Sequence, residues 1–330
     1  MNSDGSEARR HHWVPQFFLR GFTQDGDKRS QLYVVDCIAQ KVFRTLPTNV
    51  AVERDFNMIE VEGHHPNAVE SGLSDFEGKV TEALRRIEDS VSFADEEDRL
   101  FVLNFVALLA VRNPRTREMM RSAKDRTAKI VMNAVTYTEQ SWASHMKRAV
   151  ASGDIADGNE LSYETFRDFV AREDYDVTVP TTEHVRMEMK MIDAVLPYLV
   201  GRKWQLIRAS ADSGGFVTTD HPVVLVWKDI DQSSMYPPGF GLADTEVLFP
   251  LSRRLLISGK FGGNEGSYEA TMKHVACINA MLIQHGRRQV YACDENFRYL
   301  LSEKQGFRYG RDLLADTLEL SKLSKENHRI

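Results

Sequence analysis

Hydrophobic positions change their spacing twice along the chain. Up to about residue 61 they come in short β-branched or aromatic runs. Residues 31–36 (Gln-Leu-Tyr-Val-Val-Asp) and 41–45 are separated by a polar turn and read as a hairpin or two adjacent strands. A third extended segment is expected over residues 56–61. From Pro66 the period becomes helical, with Val69, Leu73, Phe76, Val80, Leu84 and Ile87 recurring at three- and four-residue steps. A second helix over 99–111 is apolar on nearly every side, which places it in the centre of a domain. Asn113-Pro114 ends or kinks it.

Residues 115–150 continue helical with weaker amphipathicity, and further helices are expected over 163–172 and 183–200, the latter from a Thr181-Thr182 cap region after Pro180. Strands then return at 204–209, 215–218, 222–227, 246–249 and 255–258, followed by a helix over 267–285 and a strand over 289–292. Strands at both ends with helices between them predict an α+β fold, not alternating βαβ units. The expected arrangement has N- and C-terminal strands forming a mixed sheet packed against a central, mostly helical segment. Residues 1–10 are expected to be a flexible tail, 11–295 a single α+β domain, and 296–330 a polar tail with a short amphipathic helix near 311–323.

Composition narrows the class without choosing a reaction. Of 330 residues, 42% are hydrophobic and 27% charged, an ordinary globular balance. No apolar run approaches the ~20 residues that cross a bilayer, so no membrane association is expected. The polar first ten residues do not read as a signal peptide, and Cys37, Cys277 and Cys293 are scattered without a close pair. A reducing cytoplasm is the expected setting. The net charge of −6 argues against strong whole-protein attraction to nucleic acid but leaves local basic patches open.

No phosphate-binding glycine loop, His-Glu-x-x-His or Gly-x-Ser-x-Gly pattern occurs. His274 and Cys277, three apart on a helix, read most simply as neighbours on one face, not as a nucleophile and its base. The distinctive segment runs from His11 to Phe22 (His-His-Trp-Val-Pro-Gln-Phe-Phe-Leu-Arg-Gly-Phe). Its aromatic rings would pin two adjacent imidazoles at a fixed place; equally, they would simply pack while the histidines cap a turn. This segment resembles the opening signature of a bacterial family catalogued as domain of unknown function 4238. Glu53-Arg54-Asp55-Phe56, the Glu70, Leu73 and Glu77 spacing, Thr218-Thr219-Asp220-His221-Pro222 and Phe249-Pro250-Leu251-Ser252 resemble further segments of it. Phe18 and His221 depart from the family's usual tyrosine and asparagine. The resemblance implies a shared fold and a shared site, and little about reaction.

Read as chemistry, Glu70 and Glu77 lie seven apart and within ~20° of each other on a helix, bordering the stripe that carries Leu73 and Leu84. Carboxylates near a buried face need a partner, and Arg112, at the end of the all-apolar helix, is an equally awkward charge. Asp220 follows a short strand and either reaches a site or bonds backbone in its turn. Convergence of His12, Glu53, Glu77 and Asp220 would suit a divalent metal (Mg²⁺, Mn²⁺ or Zn²⁺) that activates water, with Glu70, Arg112, Arg20 and His11 in support. On this expectation His12, Glu77 and Asp220 are catalytic, and the protein is a metal-dependent hydrolase acting on a phosphodiester, a nuclease-like effector with nucleic acid as substrate. The competing expectation is a non-catalytic binding or regulatory protein in which Glu70, Glu77, Arg112 and Arg20 form an interior ion-pair network.

Overall fold

The computed structural model describes residues 9–156, 162–173, 175–228, 236–301 and 306–317. The fold is α+β. The chain forms two compact units, one built from residues 1–113 and 185–330 and the other from residues 114–184. Along the chain, the helical unit is inserted into the larger mixed one.

In the larger unit the N-terminal part contributes β1 (Arg10–His12), α1 (Gln16–Arg20), β2 (Leu32–Asp36), β3 (Lys41–Thr45), β4 (Val52–Arg54), α2 (Ala68–Ser90) and α3 (Glu96–Val111). The inserted unit holds α4 (Pro114–Val135), α5 (Glu139–Ser152) and α6 (Tyr163–Arg172); α7 (Thr181–Val200) returns the chain to the larger unit. There follow β5 (Lys203–Ala209), β6 (Thr218–Thr219), β7 (Val224–Trp227), β8 (Thr245–Pro250), β9 (Leu255–Lys260), β10 (Gly266–Ala270), α8 (Met272–His285), β11 (Gln289–Ala292), β12 (Arg298–Leu300) and β13 (Phe307–Tyr309).

Terminal strands do meet, but in a different sheet from the one expected. β2 pairs with β11 in an antiparallel four-stranded sheet of order β3-β2-β11-β6. The mixed sheet has the order β10-β5-β9-β8-β7, with only β10–β5 parallel, and is made from strands after residue 200 alone. Alternate side chains bury both of its faces. Trp204, Leu206, Val247, Phe249, Leu255 and Ile257 join α1, α2 and α3 in one core, while Ile207, Leu248, Leu256 and Val224 join α8, β2 and β11 in a second. A sheet buried on both faces explains runs such as Val247-Leu248-Phe249 that show no polar alternation. Trp204 lies over β9, where a Cβ on Gly259 would come within 2.7 Å of the indole ring; only glycine fits there.

Four local expectations change. Residues 56–61 are not a strand: Asp55 takes a φ of 58° and turns the chain, so that β4 pairs with β1 instead. The helix expected over 267–285 starts only at Met272, where Thr271 accepts a hydrogen bond from the His274 amide, and the residues before it form β10. Within 296–301 and 306–317, Phe297, Tyr299 and Leu313 are buried in the second core, where a polar tail was expected. Arg9 and Arg10 are not part of a free tail either: Arg9 pairs with Asp55 at 2.6 Å and Arg10 stands in β1. Residues 1–8 and 318–323 of the expected tail and terminal helix lie outside the described residues.

The inserted unit, taken by itself, packs a small aromatic run. Trp142 stacks on Phe166 at 4.6 Å between centroids and Phe169 on Tyr175 at 4.9 Å. Thr138 and Ser162 cap α5 and α6 by accepting backbone N–H bonds. Among the described residues no helix is long and apolar enough to cross a membrane, and all three cysteines are free thiols.

Candidate functional site

The signature segment is packed as its aromatics require. Val14, Phe18, Leu19 and Phe22 are buried, with the Phe18 ring stacked on Phe249 at 5.2 Å, and Trp13 and Phe17 are partly buried against the same core. That anchorage fixes β1, whose His11 lies opposite Glu53 and His12 opposite Val52 on β4.

Around β1 a polar cluster is assembled on one residue that sequence reasoning missed, Asn57. It is fully buried, and its backbone N–H and both side-chain polar atoms are bonded. Its backbone N–H donates to Nδ1 of His11 at 2.9 Å, its Nδ2 donates to Oε2 of Glu70 at 2.6 Å, and its Oδ1 accepts from Nη1 of Arg112 at 2.9 Å. Nη2 of Arg112 donates to the carbonyl of His12 at 3.3 Å. Arg112 reaches this point because α3 is largely buried from Val102 to Val111 and ends there; the arginine is 1% exposed. A fork of fixed donors is what such a junction of acceptors needs.

Two titratable groups border this junction. Glu77, half-buried one heptad after Glu70, has its carboxyl pushed up to about 7, chiefly by burial and secondarily by the Glu70 charge, with the Arg112 cation opposing. The His12 imidazole is lowered by burial, an effect that its bond to Thr48 and the Glu70 charge oppose and that Arg10 and Arg112 reinforce. Nε2 of His12 lies 3.3 Å from the carbonyl of Thr48, which can only accept. The proton of the neutral ring therefore sits on Nε2 and the lone pair on Nδ1, with the Gln16 amide 3.5 Å away.

The structure thus brings His11, His12, Glu70, Glu77 and Arg112 together and leaves three candidates elsewhere. Asp220 does not join them. Its carboxylate accepts from the backbone N–H groups of Arg287 at 3.0 Å and Arg288 at 3.0 Å, bracing the turn between α8 and β11. Burial raises its affinity for a proton while those amides hold it back. Only its carbonyl approaches the signature, accepting from the Trp13 indole at 3.3 Å. Glu53 pairs through its backbone and leaves its side chain exposed. Arg20 lines a separate cavity beside the end of α2. Among the described residues no group of three or more His, Cys, Asp or Glu side chains is placed to hold a metal ion.

The Glu77 environment has a measurable signature in stability. Its carboxyl binds a proton more tightly folded, at about 7, than at its ordinary 4.5. The stabilisation from this group is complete below 4.5 and is lost as pH rises through 7. Glu77→Gln should therefore melt close to the parent at pH 5 and above it at pH 8, as followed by thermal unfolding. The raised Asp220 and lowered His12 are common to both proteins and cancel in the comparison. An equal difference at both pH values would contradict the assignment.

A family model described as "Protein of unknown function (DUF4238)" matches residues 10–296. No curated protein and no solved structure matches the chain.

Proposed function

The chain belongs to the DUF4238 family, and from that premise we propose that the cluster beneath its signature segment is the acid–base site of a hydrolase acting on a phosphodiester. One observation carries this reading: a half-buried carboxyl that holds its proton up to about pH 7 borders the same Arg112 junction as a histidine whose tautomer is set. A Glu tuned in this way can deliver a proton to a leaving alkoxide. His12, neutral above its lowered affinity range, can take a proton from water through Nδ1. Arg112 acts through His12 and Asn57 as a positioning residue. The exposed Arg10 and Arg54, opposite each other across β1 and β4, give the rim next to His12 a positive charge suited to a polyanionic substrate such as nucleic acid.

Bis(4-nitrophenyl) phosphate tests the reading. Release of 4-nitrophenolate should follow a bell, falling on the acid side as His12 protonates, below the ordinary histidine range, and on the alkaline side above about 7 as Glu77 ionises. Glu77→Gln and His12→Ala should each lower turnover by ~10²-fold or more. Turnover unaffected by both substitutions would remove the proposal. A second reading is favoured by the completeness of the Asn57 bonding, which is what a purely structural cluster needs. In that case no turnover is found, and the conserved outcome of the two substitutions is a change in stability alone.

A further inference from the structure

A cavity of about 540 Å³ opens beside the far end of α2, some 16 Å along that helix from Glu77 at ~1.5 Å per residue. Two segments of the signature set meet at its wall. The Arg253 backbone N–H donates to the Gly21 carbonyl at 3.0 Å, and the Ser252 hydroxyl donates to Oε1 of Glu88 at 2.7 Å. The approach is close: a Cβ on Gly21 would lie 3.2 Å from that of Ser252.

Four arginines line this cavity. Arg253 is held in place, donating through Nη2 to the Gln24 carbonyl at 3.1 Å. Arg20, Arg208 and Arg254 have no side-chain hydrogen bond or ion pair among the described residues. Planar forks of N–H donors without a partner in the fold are matched by phosphate oxygens. The lining also includes Asp25, Glu88 and Asp89. Asp89 is paired with Arg85 at 3.2 Å. These carboxylates would repel a second anionic end but accept from hydroxyl groups. The apolar lining is Val91 and Leu255, with no aromatic ring among the described residues on which a nucleobase could stack. Small-ligand sites occupy ~300–1,000 Å³, which this volume fits.

We propose that this cavity is a binding site for a small phosphorylated polyol of the sugar-phosphate class, its phosphate on the arginines and its hydroxyls toward the carboxylates. The site is distinct from the acid–base cluster and does not depend on it.

Titration calorimetry of the full chain with ribose 5-phosphate tests this, with ribose and inorganic phosphate as the comparison probes. Ribose 5-phosphate should bind saturably at one site, inorganic phosphate at least tenfold more weakly, and ribose not measurably over the same range. Arg208 and Arg254 are exposed, so Arg208→Gln and Arg254→Gln should fold normally, as checked by their melting temperatures. Each should weaken ribose 5-phosphate at least tenfold. Absence of ribose 5-phosphate binding, binding unaffected by both substitutions, or inorganic phosphate binding as tightly would overturn the proposal.

Discussion

Arg112→Met should cost about 3–5 kcal/mol of stability, the range found when one partner of a buried charged network is removed. The guanidinium is 1% exposed and supplies donors to Oδ1 of Asn57 and to the His12 carbonyl. Methionine would fill much of the volume but leave both acceptors buried without those donors, and it would withdraw a cation that opposes the raised Glu77 carboxyl. The loss is therefore partly bonding and partly electrostatic. Lysine should recover a minority of it, because a point ammonium cannot span two acceptors in a fixed fork. Urea unfolding of parent, Arg112→Met and Arg112→Lys measures the series. A loss below ~1 kcal/mol for the methionine variant would show that water replaces the side chain without cost.

A comparable loss, about 3–5 kcal/mol, is expected from Arg202→Met, for a different reason. Arg202 is buried, and among the described residues no carboxylate lies at bonding distance from it. Nη1 donates to the carbonyls of Thr245 at 2.8 Å and Gly259 at 3.1 Å, and Nη2 donates to the Phe240 carbonyl at 2.7 Å and to Oγ1 of Thr245 at 2.8 Å. The Phe261 ring lies 4.3 Å from the guanidinium carbon. Burial pulls the group down to about 10, so it stays charged at neutral pH. It acts as a rivet between β8, β9 and the loop before them, and its removal strands three carbonyls. Arg202→Lys should be intermediate at pH 6 and worse at pH 9, since an ammonium buried among neutral acceptors readily gives up its proton. Thermal unfolding at the two pH values reads this. A lysine variant with the same deficit at both would mean that water reaches the site.

How far the sequence discloses this molecule depends on whether the deciding partner is local. β2, β3, α6 and β11 lie where short-range period and turn chemistry put them, because each is framed by its own punctuation. β10 is different. Four of its five residues are exposed, so it shows no alternation, and it exists because β5, some sixty residues earlier, offers a parallel edge. The site follows the same rule. The Glu70 and Glu77 pair and the awkward Arg112 are visible as charges on or at the end of apolar helices. Asn57 is hidden by the strand expected over 56–61, which sets it on the face opposite Phe56; the left-handed Asp55 breaks that alternation and turns Asn57 inward. Asp220 is a strand-end acid, as read, but its amides come from residues 287 and 288, a partner that no local pattern announces.

The pairing of β2 with β11 sets a condition on how the chain is made. Every residue of β2 is buried, yet the neighbour on its inner edge lies some 250 residues further on. At ~5–20 residues per second, a ribosome needs about 10–50 seconds to supply it. During that interval the hairpin of β2 and β3 carries an open, apolar edge on a tethered nascent chain, while the whole inserted helical unit is synthesised and can fold ahead of it. The larger unit is closed late, by its last-made strands. Yield in the cell is therefore governed by what shields that edge during translation as much as by the stability of the finished protein.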